Sequence, residues 1–183
     1  MVARRALVLG GTGMLAGVAA ALLDDDWYVV LPSRRRPRIP ATNGDNRRPH
    51  WVQADWSVPT ALADSVKDAL GGPADLLVAW VHREVRTGVL RAVAPLLADG
   101  APVVEVHGSA SANPVGGCPD PVLDSHATQQ VVLGYVRHAG RTRWLTHREI
   151  SDGVLEAVKR ALAGKPSHVN QVGEFRPSIT SGR

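Results

Sequence analysis

Apolar and polar positions along this chain come in alternating blocks. Short strand-like runs occupy residues 6–9, 28–31, 50–53, 75–81, 102–107 and 142–145, those at 6–9, 28–31, 75–81 and 102–107 rich in Val and Leu. Between them lie longer stretches at helical spacing, over 14–23, 59–70, 88–98, 122–137 and 146–163. From Leu76 to Val81 the run is continuously apolar, as a strand buried on both faces requires. Gly71-Gly72-Pro73 and Asp99-Gly100 stop two of the helices. Thr146-His147-Arg148-Glu149 has the form of a capping box that opens the last one. A final strand is expected over 168–173, before a frayed tail at 174–183, and irregular loops over 32–49 and 108–121. Strands alternating with helices predict an α/β fold: one domain over 1–183, a parallel doubly wound sheet with right-handed crossovers, three layers deep.

The first strand–helix junction carries the sharpest chemical signal. Leu7-Val8-Leu9 runs into Gly10-Gly11-Thr12-Gly13-Met14-Leu15-Ala16, and Gly11-x-Gly13-x-x-Ala16 fits the dinucleotide fingerprint of a Rossmann fold. One glycine permits the tight turn, the next lets backbone approach a pyrophosphate, and a small third residue lets helix and strand pack closely. The helix start adds N–H donors and the positive end of its dipole. Gly10, Gly11, Thr12, Gly13, Met14 and Leu15 are therefore the expected pyrophosphate cradle. At the end of the second strand an NAD site carries an acid. Here the residues are Ser33-Arg34-Arg35-Arg36, and a hydroxyl beside guanidinium groups suits a 2′-phosphate, so NADP(H) is the expected cofactor.

Composition narrows the picture further. At 183 residues the chain suits one domain with a full core. A single cysteine, Cys118, excludes an internal disulfide framework and fits a reducing cytoplasm. No Cys/His spacing predicts a metal site. The apolar run to Leu23 resembles a secretory signal, but it holds four glycines and ends at Asp24-Asp25-Asp26, so it reads as strand and helix of a soluble protein. The net charge of +4 hints at nucleic acid. The arginines, however, concentrate in one loop (Arg34, Arg35, Arg36, Arg38, Arg47, Arg48) without interleaved aromatics, and an anionic cofactor is the simpler partner. Neither nucleic acid nor membrane is expected as a partner.

The glycine turn, Ser33-Arg34 after the second strand and Asp55 just past the third resemble the short-chain dehydrogenase/reductase family, and the resemblance runs over nearly the whole chain. It implies that Asp55, with Trp56 beside it, meets the adenine; an Asp at a helix start is the alternative. Ala79-Trp80-Val81-His82 replaces the family's Asn-Ala-Gly. Ala79 and Trp80 are expected to line the cofactor through backbone, and His82 is either a site residue or a polar strand end. Ser109, with Ser111 second, stands where the family has its catalytic Ser, and is otherwise an ordinary residue of a Gly/Ser loop.

The family's Tyr-x-x-x-Lys pair is absent, since Tyr135 is followed four residues on by Ala139. Nearest in position are His126 and Gln130, which a helix over 122–137 would place on one face, His126 as proton donor and Gln130 on the ribose. A surface histidine at a helix start is the plainer alternative. Thr146, after the sixth predicted strand, is expected either to contact the nicotinamide or to serve only as a cap. His107 is a further histidine near the site. The resemblance implies an NADPH-dependent reductase of a small carbonyl or imine, for which a natural-product or nucleoside-like ketone is one substrate. It also implies self-association as a dimer or tetramer. A catalytically inactive NADP(H)-binding sensor or partner subunit is the other reading.

Overall fold

In this computed structural model, residues 3–36, 48–108 and 118–175 are described. Seven strands form one parallel sheet in the order β3-β2-β1-β4-β5-β6-β9. They are β1 (Arg5–Leu9), β2 (Tyr28–Ser33), β3 (His50–Gln53), β4 (Leu76–Ala79), β5 (Val103–Gly108), β6 (Thr128–Leu133) and β9 (His168–Val172). Two further strands, β7 (Tyr135–His138) and β8 (Arg141–Trp144), form a separate antiparallel pair, with an isolated bridge from Tyr135 to Glu174. The helices are α1 (Ala16–Asp24), α2 (Pro59–Leu70), α3 (Arg83–Val93) and α4 (His147–Leu162).

The expected doubly wound α/β architecture is present, and its three layers follow from alternation along the strands. Ala6, Val8, Val29, Leu31, Val78, Val104 and Val131 meet α1 and α4. Leu7, Leu9, Val30, Leu77 and Val103 point the other way, into a second core with α2 and α3. The strands β1, β2 and β4 are thus apolar on both faces, which explains their unbroken hydrophobic runs. The strand order reverses at β1 and β4, the switch point where such sheets open a crevice at their carboxyl edge.

Several predicted elements are corrected. Residues 122–137 do not form a helix. Thr128–Leu133 is β6, buried along its whole length between β5 and β9, and none of the described residues 118–127 is helical. An apolar segment this short satisfies either period, and the open seat beside β5 decides for strand. The strand predicted at 142–145 is β8, one arm of a hairpin outside the main sheet. Its turn, Ala139-Gly140, takes positive φ at both residues (48° and 75°), as tight two-residue hairpins require. Helix α3 begins at Arg83 rather than 88, with Glu84 in its first turn and Val89, Leu90 and Val93 as its buried stripe. Strand β2 continues through Pro32. Its pairing with β1 ends at Val30, so the missing N–H of Pro32 breaks no bond on that side.

Candidate functional site

The glycine turn lies at the switch point. Gly10 takes φ +92°, and its carbonyl accepts from Gly13 N (3.3 Å) and Leu15 N (3.4 Å), which folds residues 10–15 into a tight loop ahead of α1. A Cβ at Gly10 would stand 3.0 Å from both Cβ and O of Trp80, the residue after β4, whose own N–H donates to Leu9 O (2.9 Å). A Cβ at Gly11 would stand 2.6 Å from Leu31 Cδ2. A Cβ at Gly13, by contrast, would meet nothing within 4 Å among the described residues. Helix α1 starts with no side-chain cap and no acid in its first turn. These features fit a phosphate-bearing group against bare main chain. Gly17 lets α1 cross α4 closely, where a Cβ would meet Ser151 Oγ at 2.6 Å.

The second predicted cluster is built into a turn. Ser33 Oγ donates to Arg35 O (2.6 Å) and accepts from Trp51 Nε1 (2.9 Å), so this hydroxyl shapes the loop that presents exposed Arg34 and Arg35. Asp55 is exposed and accepts from Ser57 N (2.9 Å) and Ser57 Oγ (2.7 Å). These bonds, with Arg34 nearby, hold its carboxyl below the usual value. Trp56 Nε1 reaches Pro32 O (3.4 Å).

Next to Gly10, Ala79 is buried as the last residue of β4, Trp80 is half-buried and Val81 enters the α2/α3 core. His82 is exposed at the start of α3 and provides no side-chain cap. Ser109 and Ser111 lie outside the described residues.

The structure separates three other candidates from this edge. His126 precedes β6, at the sheet's amino end, and its Nδ1 donates to Ala101 O (2.8 Å). Because no helix forms here, His126 and Gln130 share no helix face. Gln130 sits inside β6 opposite Glu105, and its Nε2 donates to Pro119 O (2.6 Å), which ties the segment before β6 onto the sheet. Thr146 is the N-cap of α4 in a reciprocal box: Glu149 N donates to Thr146 Oγ1 (3.2 Å) and Thr146 N to Glu149 Oε2 (2.8 Å). Arg143 clamps Glu149 with two bonds, at 2.8 and 2.9 Å, and holds that carboxyl down at about 2. The residues that follow the sixth sheet strand are Gly134 and Tyr135, not Thr146.

One cluster has no precedent in the motif reading beyond His107. On the α3 side of β5, Arg86 Nη1 donates to His107 Nδ1 (2.9 Å), which leaves the ring proton on Nε2, 3.6 Å from Glu105 Oε2. Glu105 Oε1 accepts from Val122 N (3.1 Å), while Oε2 is buried with no hydrogen-bond partner among the described residues. Burial pushes the Glu105 carboxyl up, and burial with Arg86 pushes His107 down to about 4. Burial likewise raises the Cys118 thiol. The available signal was a lone acid in the apolar run 103–106.

No family model matches the chain, and no curated protein matches it in sequence. Solved structures share its fold. A 3-oxoacyl-[acyl-carrier protein] reductase from Brucella melitensis aligns at TM-score 0.63 and 15% identity, over 93% of this chain and 96% of its own. A short-chain dehydrogenase/reductase from Serratia marcescens aligns at 0.66 and 14%, over 93% and 96%. An NADH-dependent reductase complexed with NAD aligns at 0.66 and 18%, over 93% and 95%. At these identities the likeness establishes a common fold.

Proposed function

We propose that this chain is an NADP(H)-dependent oxidoreductase of the short-chain dehydrogenase/reductase type that reduces a small carbonyl or imine. The observation that carries the reading is the uncapped start of α1 behind Gly10–Gly13, set at the switch point with no described residue within 4 Å of a Cβ at Gly13. The shared fold with reductases, one of them complexed with NAD, supports it.

Residues 10–15 would hold the pyrophosphate. Arg34 and Arg35, presented by the Ser33 turn, would face a 2′-phosphate, and Asp55 with Trp56 the adenine. Ala79 and Trp80 would flank the cofactor at the crevice. When bound, the nicotinamide supplies a hydride, and the protein's part is to fix the reacting atoms close together and exclude water. His82, exposed at the crevice, and Ser109 remain the candidates to bond the substrate oxygen. His126 is not proposed, since it lies at the far edge of the sheet. A natural-product or nucleoside-like ketone is the substrate class in view, and a cytoplasmic homo-oligomer the expected setting.

A second reading has one specific support. Residues 126–130, expected to stand in for the family's Tyr/Lys pair, run into β6, whose residues are buried. That favours an inactive NADP(H)-binding sensor or partner subunit. Calorimetric titration with NADPH and NADH, followed by cofactor absorbance over a ketone panel, separates the readings. Binding with turnover that falls in His82→Ala or Ser109→Ala supports the reductase. Binding without turnover across the panel favours the sensor. No heat from either nucleotide overturns both.

A further inference from the structure

The hairpin that follows β6 carries more exposed chemistry than a connector needs. Register places Tyr135 directly opposite Trp144 and Arg137 opposite Thr142, so these four share one face. The other face holds Val136, His138, Arg141 and Arg143, and Arg143 bolts it to the cap of α4 through Glu149. The base is fixed as well: Tyr135 N donates to Glu174 O (3.0 Å), and Glu174 N returns a bond to Tyr135 O (2.7 Å). The Tyr135 face is thus presented on a rigid support. Trp144, the largest side-chain type, is 77% exposed on it. Arg137 donates to Tyr135 Oη at 3.5 Å and has no carboxylate partner among the described residues. From Gly134 to Arg148 the sequence has four arginines and no acid.

The geometry points to the Tyr135–Arg137–Thr142–Trp144 face as the binding site for a planar aromatic carboxylate, the part of the proposed reductase's substrate that is held while a separate ketone or imine on it is reduced. The ring stacks on Trp144 and the carboxylate meets the Arg137 guanidinium, whose fork matches it. This inference rests on the reductase reading, because it takes the hairpin's departure from the carboxyl end of β6 as the substrate side of the site. The indole is not a singly scattered surface residue: the hairpin register gathers Trp144, Tyr135 and Arg137 on one face of a fixed, basic element.

The test uses the full chain saturated with NADP+, with naphthoate and neutral naphthamide as probes, read by calorimetry and tryptophan fluorescence. Naphthoate should bind more tightly than naphthamide. Trp144→Ala should weaken both by about tenfold or more, and Arg137→Gln should bring naphthoate down to the naphthamide level. Both side chains are exposed, and far-ultraviolet circular dichroism checks that each variant keeps the fold. Silence from both probes, or unchanged affinity in both variants, overturns the assignment. Binding of oligothymidylate through the same residues, with naphthoate silent, overturns it in favour of nucleic acid. A separate NADPH titration keeps the two proposals apart. NADPH bound with naphthoate silent sinks the hairpin site alone. Naphthoate selected through Arg137 with NADPH silent sinks the reductase reading and with it the substrate role, and leaves the hairpin only as a face that binds an aromatic carboxylate.

Discussion

Gly10 is the residue on which the nucleotide site turns. Its φ of +92° is open to glycine, and an added Cβ would press on Trp80. Gly10→Ala should cost about 1–3 kcal/mol in urea denaturation and weaken NADPH in calorimetry; unchanged values for both would show that the turn tolerates a side chain. A second prediction concerns His107, which faces Arg86, Glu105 and Gln130. Its folded value, about 4, lies below the ordinary 6.5. The unfolded chain therefore takes the proton first as pH falls, so the contribution of the neutral ring is complete above pH 6.5 and lost on the way down to about 4. Its size is at most about 3 kcal/mol. Glu105 runs the other way: its raised value means that stability is lost as pH rises through that value. Urea melts across the acid range should show a flatter profile for His107→Gln, and Glu105→Gln should be more stable than the parent near neutrality. A His107→Gln profile that overlays the parent's would mean the ring titrates as in the unfolded chain.

At the scale of elements, α4 tests what Thr146 is for. Its hydroxyl and backbone N–H are both spent on Glu149. Thr146→Ala should lower stability by about 1 kcal/mol and leave NADPH affinity unchanged; a selective loss of affinity would restore the nicotinamide contact. The capping box was legible because it is a local exchange of bonds within four residues. Strands β1, β2, β4 and β5 and helix α2 were legible because burial on both faces, or on one helical stripe, writes a clear period into the sequence. Strand β6 was not. Gln129 and Gln130 look like exposed helix positions, yet both are buried, Gln129 bonded to Pro166 O far along the chain and Gln130 to Pro119 O in the preceding loop. That misreading carried His126 and Gln130 onto a helix face that does not exist, and Thr146 into a strand end that belongs to β8.

For the whole molecule, the nucleotide reading makes a stability prediction. NADPH at a hundred times its Kd should raise the unfolding free energy by about 2.7 kcal/mol, with NADH weaker at equal concentration. Arg34→Ala should weaken NADPH more than NADH; equal losses for the two would remove the 2′-phosphate argument. Self-association, expected from the family resemblance, is checked by light scattering across a dilution series.

The sequence alone determined the parallel three-layer architecture and the glycine turn, because both are set by spacing along the chain: apolar periodicity, and glycine where backbone must bend or come close. Tertiary structure alone decided which segment became the sixth sheet strand, that Glu105, His107 and Arg86 meet, and that Tyr135 and Trp144 share a hairpin face. Those outcomes depend on which vacant sheet edge a segment pairs with and on contacts between residues far apart in sequence, and no local period records either.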